Sequence, residues 1–177
     1  MIKCSHLELD GLLLFESKKY NDSRGNFSEV YRLDQFSKFL PDKIKFIQDN
    51  ESFSNKGVLR GLHFQESPFE QSKLIRVSHG EIQDVVVDIR QNSKTFGKHL
   101  SLKLSKENGR QLFVPKGFAH GFLVLSDNAI VNYKVDNYYS KEHDSGVLFD
   151  DLDLNINWEL NKSDIEISKK DLNLPQL

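Results

Sequence analysis

Two histidines end two short, glycine-led segments of the sequence. Five residues separate Gly57 from His63, and two separate Gly117 from His120. Both histidines lie among apolar residues, where an imidazole can act as a general base, bind a ligand or coordinate a metal ion. Because they are far apart along the chain, joint chemistry requires a fold that places two strands side by side. The pattern therefore predicts a shared cavity.

The spacing of these segments resembles the paired motifs of the cupin superfamily. In metal-binding cupins, two histidines and a glutamate of the first motif and one histidine of the second hold the ion. Here Gln65 replaces the second histidine, Glu70 has the glutamate spacing, and His120 is the later histidine. His63, Glu70 and His120 could form a facial iron site, so a metal-dependent cupin such as a dioxygenase is one hypothesis. The neutral amide favours the other, a pocket that uses neither metal nor cofactor.

Three side chains fit proton transfer next to a carbonyl group. Such a reaction needs a base with a near-neutral pKa, a donor at the developing enolate oxygen, and an acid that returns the proton. His63, Lys73 and Tyr133 can take these roles in that order. A carboxylate behind His63 would fix its tautomer. The sequence offers three candidates for it: Asp84, Asp88 and Asp171.

Basic residues could hold an anionic substrate. Arg24, Arg60 and Lys170 are candidates, and a guanidinium group matches diphosphate oxygens in a bidentate manner. For Arg24 the alternative is a solvated arginine in a turn. In a regular strand Arg60 and His63 face opposite sides, but a bulge at Gly61 would bring both into one cavity.

Short alternating runs predict the elements that carry these residues. Polar and β-branched residues alternate in 73–77 and 82–89, and 78–81 is predicted to turn between them as a hairpin. Similar runs at 112–114, 121–125 and 129–135 indicate an all-β antiparallel sandwich or barrel. Residues 33–40 are predicted to form a short helix that stops at Pro41, whereas 163–171 read as a loop or weak turn.

Composition limits the possible function classes. The 177 residues favour one domain, 1–177, and the formal charge of −2 argues against binding to nucleic acid or a membrane surface through net charge. The start of the sequence lacks the apolar run of a signal peptide, and no window is long and apolar enough to span a bilayer. Cys4 is the only cysteine, which excludes an internal disulfide and favours the cytoplasm.

A series of blocks, in order along the chain, carries a more specific resemblance. The blocks are Asp22–Glu29, Gln48–Ser54, Gly57–Gln65, Gln71–Leu74, Asp84–Arg90, Pro115–Phe122, Tyr133–Lys134 and Tyr138–Tyr139. Together they resemble the dTDP-4-dehydrorhamnose 3,5-epimerase family over nearly the whole chain. The resemblance implies a cupin-type antiparallel jelly roll with a few short helices. It also implies a homodimer with exchanged N-terminal strands, and a C-terminal segment of about 160–177 near the site.

The resemblance further implies a reaction and roles for residues. The reaction is metal-free epimerisation at C3 and C5 of dTDP-4-dehydro-6-deoxy-D-glucose, giving dTDP-4-dehydro-L-rhamnose for dTDP-L-rhamnose synthesis. His63 would be the base in a dyad with Asp171, Lys73 would stabilise the enolate at the C4 oxygen, and Tyr133 would be the acid on the opposite ring face. The implied substrate-binding residues are Arg24, Phe27, Glu29, Gln48, Asn50, Arg60, Lys73, His120, Tyr139, Asp144 and Lys170. Of these, Arg24 and Glu29 would act across the dimer.

The sequence departs from the family pattern at three positions. Asp144 stands where glutamate is more frequent, which would affect one nucleotide contact. Phe149 replaces a frequent tryptophan, and Glu159 follows Trp158 where proline is common, which would affect packing near Asp171. A C3-only or C5-only epimerase of another nucleotide-linked keto sugar would need the same base and acid. A non-catalytic sugar-binding jelly roll is the third hypothesis.

Overall fold

The molecule is built mainly of β-strands. The computed structural model describes residues 2–42 and 44–177, and this part of the chain contains one α-helix, α1 (Leu33–Phe36), besides short 3₁₀ turns. The strands are β1 (Lys3–His6), β2 (Leu13–Glu16), β3 (Tyr20–Asp22), β4 (Gly25–Phe27), β5 (Gln48–Asn55), β6 (Val58–Gln65), β7 (Lys73–His79), β8 (Glu81–Asp88), β9 (His99–Ser105), β10 (Arg110–Val114), β11 (Phe118–Val124), β12 (Asn128–Val135), β13 (Asp144–Gly146) and β14 (Glu166–Ile167). None of the helices in these residues is long and apolar enough to cross a membrane.

Two large sheets contain all of these strands except β3 and β4, which pair only with each other. Sheet I has the order β1-β2-β10-β7-β12-β5, and sheet II has the order β13-β6-β11-β8-β9, with β14 parallel to β6. The other pairings are antiparallel. From β5 to β8 and from β10 to β12, the chain changes sheets at every strand, as a jelly roll requires. The predicted all-β jelly roll with a few short helices is confirmed.

The core lies between the two sheets. Ile75 of β7 and Leu112 of β10 pack in one cluster with Ile82 and Val86 of β8, and all four are fully buried. Burial stabilises each such side chain by about 1.5–3 kcal/mol relative to its exposed state. This packing holds the two sheets at a fixed separation, and the side chains at the end of the sandwich can then face one another across a cavity.

The predicted hairpin between residues 73–77 and 82–89 is wrong. β7 pairs with β10 and β12 in sheet I, whereas β8 pairs with β9 and β11 in sheet II. The turn at Gly80, with φ +75°, carries the chain from one sheet to the other, and a Cβ there would lie 2.2 Å from the carbonyl oxygen of Asn128. Alternation identified the strands and their buried faces, but it carries no information about which strands are neighbours.

The two non-sheet predictions have different outcomes. The predicted short helix is present as α1, and further turns continue to Leu40, whose N–H donates to the Phe36 carbonyl. Residues 163–171 include turns, but they also include the two-residue strand β14. The sequence missed β14 because so short a strand shows no periodicity.

Candidate active site

A cavity of about 680 Å³ brings the predicted catalytic residues together. It is lined by strands of both sheets and by residues 166–171. The four predicted catalytic residues line it: His63, Lys73, Tyr133 and Asp171. So do five predicted substrate-binding residues: Arg60, His120, Tyr139, Asp144 and Lys170. Side chains that are far apart in the sequence therefore line the same cavity.

A bulge in β6 explains why Arg60 and His63 reach the same cavity. The register between β6 and β11 shifts between His120 and Phe122. Gly61, with φ +125°, lies at the shift, and a Cβ there would come within 2.5 Å of the Gly121 Cα. The left-handed backbone and the close approach both require glycine. The bulge breaks the alternation of the strand, and the opposite-face relation expected for a regular strand does not hold.

His63 forms a partly buried pair with Asp171. Its Nε2 lies 2.8 Å from Asp171 Oδ1, and the Gly61 N–H donates to Asp171 Oδ2 over 3.3 Å. Burial raises the pKa of Asp171, but the hydrogen bond and charge of His63 and the Gly61 N–H together bring it below its usual value. An ionised Asp171 makes Nε2 the protonated ring nitrogen, and Nδ1 is left to accept a proton.

The other two candidate carboxylates have different partners. Asp84 lies 2.9 Å from His120 Nε2 and is fully buried, so the site holds a second His–Asp pair. Asp88 binds the guanidinium of Arg90 and accepts hydrogen bonds from two hydroxyl groups. Of the three aspartates that the sequence left open, only Asp171 contacts His63.

Lys73 and Tyr133 come from adjacent strands of sheet I, opposite the His63 wall of sheet II. Lys73 Nζ donates to the His63 carbonyl over 3.2 Å, and burial lowers its pKa to about 8 although the charges of Asp144 and Asp84 raise it. The Tyr133 phenol is protonated at neutral pH, as an ordinary phenol is, and burial raises its pKa further; the charge of Arg60 acts against this shift. The cavity thus places the His63 imidazole and a neutral phenol on opposite walls.

The rim of the cavity contains a polar cluster around Asp144. Asp144 accepts a hydrogen bond from the Tyr139 hydroxyl over 2.9 Å and forms an ion pair with Lys170. Gln65 donates to the other Asp144 oxygen over 3.4 Å and accepts from the Ser140 N–H over 2.7 Å. Sequence reasoning used Gln65 only to weigh a metal site; its role as a bridge within this cluster depends on the loop at 136–143, which the sequence did not define.

Two further predicted binding residues lie on β5 beside the rim. Gln48 Nε2 donates to Asn50 Oδ1 over 2.9 Å, and Gln48 Oε1 accepts from the Tyr139 N–H over 3.4 Å. Asn50 is also paired in register with Tyr133 across β5 and β12. The Gln48 side chain and the Asn50 backbone therefore lie next to residues that line the cavity, although neither residue is part of its lining.

Three predicted binding residues do not reach the cavity of their own chain. Arg24 lies in the β3–β4 hairpin, with a side chain that is 88% exposed and paired with Asp22. Phe27 is 66% exposed on the same hairpin, and Glu29 lines a separate cavity of about 330 Å³. A role for these residues in catalysis therefore depends on a second subunit.

The hypothetical metal ligands are not assembled. Glu70 lines a neighbouring cavity of about 320 Å³, apart from His63 and His120. Each of these histidines already directs its Nε2 at a carboxylate. Across residues 2–42 and 44–177, no three histidine, cysteine, aspartate or glutamate side chains converge as a metal site would require. The set of His63, Glu70 and His120 is therefore wrong as a ligand set.

The C-terminal departures from the family pattern are accommodated by local contacts. Phe149 is buried, and its carbonyl accepts a hydrogen bond from the Trp158 indole over 2.9 Å. The Glu159 N–H donates to Gln83 Oε1 over 2.8 Å, a bond that proline could not make. Asp171 lies against His63 despite both changes.

Comparison with known proteins identifies the family to which the chain is similar. The family model described as dTDP-4-dehydrorhamnose 3,5-epimerase matches residues 6–177. The enzyme of that name from Methanothermobacter thermautotrophicus is 51% identical, over 93% of this chain and 89% of that protein. The crystal structure of the Bacillus anthracis enzyme, with TDP and PPi bound, superposes with a TM-score of 0.95 at 44% identity and covers all of both chains. A Legionella pneumophila epimerase in complex with dTDP-4-keto-L-rhamnose has a TM-score of 0.95 at 42% identity, covering 99% of this chain and 93% of that one. The chain belongs to the dTDP-4-dehydrorhamnose 3,5-epimerase family.

Proposed function

We propose that this protein converts dTDP-4-dehydro-6-deoxy-D-glucose into dTDP-4-dehydro-L-rhamnose by inverting C3 and C5. The observation that carries the proposal is the His63–Asp171 pair, which faces Tyr133 across a cavity that also holds Lys73. The Legionella relative is described in complex with dTDP-4-keto-L-rhamnose, which supports the same class of nucleotide sugar as the ligand here.

The four residues divide the reaction into two repeated proton transfers. His63 Nδ1 takes the proton from a carbon next to the C4 carbonyl, and Asp171 stabilises the imidazolium that forms. Lys73 donates a hydrogen bond to the C4 oxygen, where the enolate charge develops. The Tyr133 hydroxyl then delivers a proton to the opposite face of the same carbon. Exchange with solvent restores His63 and Tyr133, and the cycle repeats at the second carbon.

We propose that the remaining cavity residues hold the nucleotide sugar. Arg60 Nε donates to Ser54 Oγ over 3.0 Å, which orients the guanidinium and supports a role in diphosphate binding. His120, buried against Asp84, would contact the sugar from the His63 wall. Tyr139, Asp144 and Lys170 would contact the substrate at the rim, with Gln48 and Asn50 of β5 beside them.

A homodimer would complete the site. The β3–β4 hairpin pairs with no further strand among the described residues, and it exposes Arg24 and Phe27 to solvent. This arrangement supports a role for the hairpin and the nearby Glu29 in the cavity of a partner subunit. We place the protein in the cytoplasm, where nucleotide sugars are made and where its single cysteine, Cys4, would stay reduced.

The decisive experiment is an NMR assay with dTDP-4-dehydro-6-deoxy-D-glucose in deuterated water. The proposed function predicts one deuteron at C3 and one at C5, with both centres inverted in the product. Incorporation at a single carbon would instead identify a C3-only or C5-only epimerase. Binding of the nucleotide sugar without any exchange would contradict the catalytic proposal and favour a sugar-binding protein.

The pKa of Lys73 predicts how the rate depends on pH. The ammonium form stabilises the enolate, and burial lowers the pKa of Lys73 to about 8. We therefore expect kcat to fall as the pH rises through about 8, because the cationic fraction decreases. In Lys73→Arg the cation persists at all these pH values, so the decline near pH 8 should disappear even where the absolute rate is lower. An unchanged decline in this variant would assign it to another group.

A further inference from the structure

The dyad carboxylate lies outside the sheets. Asp171 begins a 3₁₀ turn, Asp171–Asn173, in the C-terminal segment, defined here as residues 166–177. Within this segment its N–H donates to Ser168 Oγ over 3.1 Å, and the turn adds a bond from the Asn173 N–H to the Lys170 carbonyl. One such turn is weak by itself because 3₁₀ hydrogen bonds have poor geometry. Other parts of the chain must hold Asp171 against His63.

Residues 144–151, called here the anchor strip, contact the C-terminal segment repeatedly. The Leu148 N–H donates to the Pro175 carbonyl over 2.8 Å, and Asp151 Oδ2 accepts from the Leu177 N–H over 2.8 Å. Leu174 packs so closely on Gly146 that a Cβ there would lie 2.7 Å from its Cδ1. These three contacts hold the end of the segment, beyond Asp171.

Within the anchor strip, Asp144 supplies the contact nearest to the dyad. Its carboxylate pairs with Lys170, the residue immediately before Asp171. The Asp144 side chain is only 13% exposed, and its oxygens also accept from the Tyr139 hydroxyl and the Gln65 amide. Charge-assisted hydrogen bonds of this kind are stronger than neutral ones. The bonds from Tyr139 and Gln65 fix the orientation of the carboxylate that pairs with Lys170.

We propose that Asp144 is a positioning residue, which holds Lys170 and thereby sets Asp171 behind His63 before any substrate binds. The role rests on the proposed function of His63 as the base, but the contact that carries it exists in the free protein. Asp144 therefore acts on the rate through Asp171, in addition to any contact that it makes with the nucleotide sugar.

The test uses ligand-free protein with ¹⁵N-labelled histidine. In the wild type we expect His63 to be held as the tautomer protonated at Nε2, with that proton protected from solvent exchange by Asp171. In Asp144→Asn the neutral amide cannot form the ion pair with Lys170. The His63 Nε2 proton and the backbone amides around Asp171 should then exchange with solvent at least about tenfold faster. A tenfold change corresponds to the free energy of one weak charged hydrogen bond.

Two further variants and one control separate positioning from other effects. Lys170→Met removes the same ion pair from the other side and should reproduce the accelerated exchange, which keeps the test valid if Asp144→Asn folds poorly. Asp144→Glu retains the charge and should restore protection. Asp150→Asn is the matched control, because Asp150 pairs with Lys162, outside the C-terminal segment; it should leave the His63 proton unchanged.

The outcomes also separate this role from substrate binding. If Asp144→Asn and Lys170→Met raise KM while His63 keeps its wild-type tautomer and proton exchange, the positioning role is wrong and both residues only bind substrate. If the exchange accelerates, kcat should fall by a similar factor. The NMR measurement needs no nucleotide sugar, so its result stands even if the deuterium assay contradicts the proposed epimerisation.

Discussion

His63→Ala is expected to lower the rate of epimerisation by about 10²- to 10⁴-fold, the usual contribution of a general base. The variant removes an imidazole that lines the cavity and whose Nε2 lies against Asp171. His120, the other cavity histidine, is paired with Asp84, and its Nε2 is engaged in the same way. Its position deeper in the wall, 8% exposed, makes it a poor substitute for the 31% exposed His63 side chain.

The measurement is the rate at which deuterium enters C3 and C5 of the substrate. His79→Ala serves as the control, because His79 is an exposed histidine at the end of β7 and does not line the cavity. It should exchange protons at the wild-type rate, whereas His63→Ala should not. Wild-type exchange in His63→Ala would mean that another group removes the substrate proton, and the assigned role would be wrong.

The sequence predicts which residues form this site better than it predicts which of them contact one another. The glycine-led spacing of His63 and His120 predicts adjacent strands, and the two residues are indeed paired in register across β6 and β11. The sequence also predicts the bulge at Gly61, because a glycine next to Arg60 in an apolar strand marks a place where the alternation can break. These are local properties of short segments.

What the sequence could not predict depends on long-range geometry. From the residue pattern alone, three aspartates were equal candidates to support His63, since nothing in their local sequence says which strand or turn faces it; only the family resemblance implied Asp171. The choice of Asp171 comes from the path of the C-terminal segment, which returns to β6 through β14. The lack of long-range information also explains the wrong hairpin prediction. Alternation in β7 and β8 defines a buried face for each strand, but the two strands lie in opposite sheets and their buried faces contact the same core.

Tyr133→Phe is expected to separate proton removal from inversion. The substitution keeps the ring that packs against the core and deletes only the hydroxyl. The wild-type phenol is protonated at neutral pH, and burial raises its pKa further, so it can donate a proton to the enolate. In the variant, His63 still removes the proton, and the imidazolium returns a proton or deuteron to the same face. We expect inversion to fall by about 10²- to 10⁴-fold, the range for loss of a general acid, while exchange with retention persists.

This difference makes the ratio of deuterium exchange to epimer formation the diagnostic quantity. It should rise sharply in Tyr133→Phe and remain at the wild-type value in Tyr138→Phe, because Tyr138 is 63% exposed and does not line the cavity. A parallel loss of exchange and inversion in Tyr133→Phe would show that the hydroxyl is already needed for proton removal. Inversion at the wild-type rate would mean that a different group is the acid. The position of Tyr133 opposite His63 would then not be part of the catalytic mechanism.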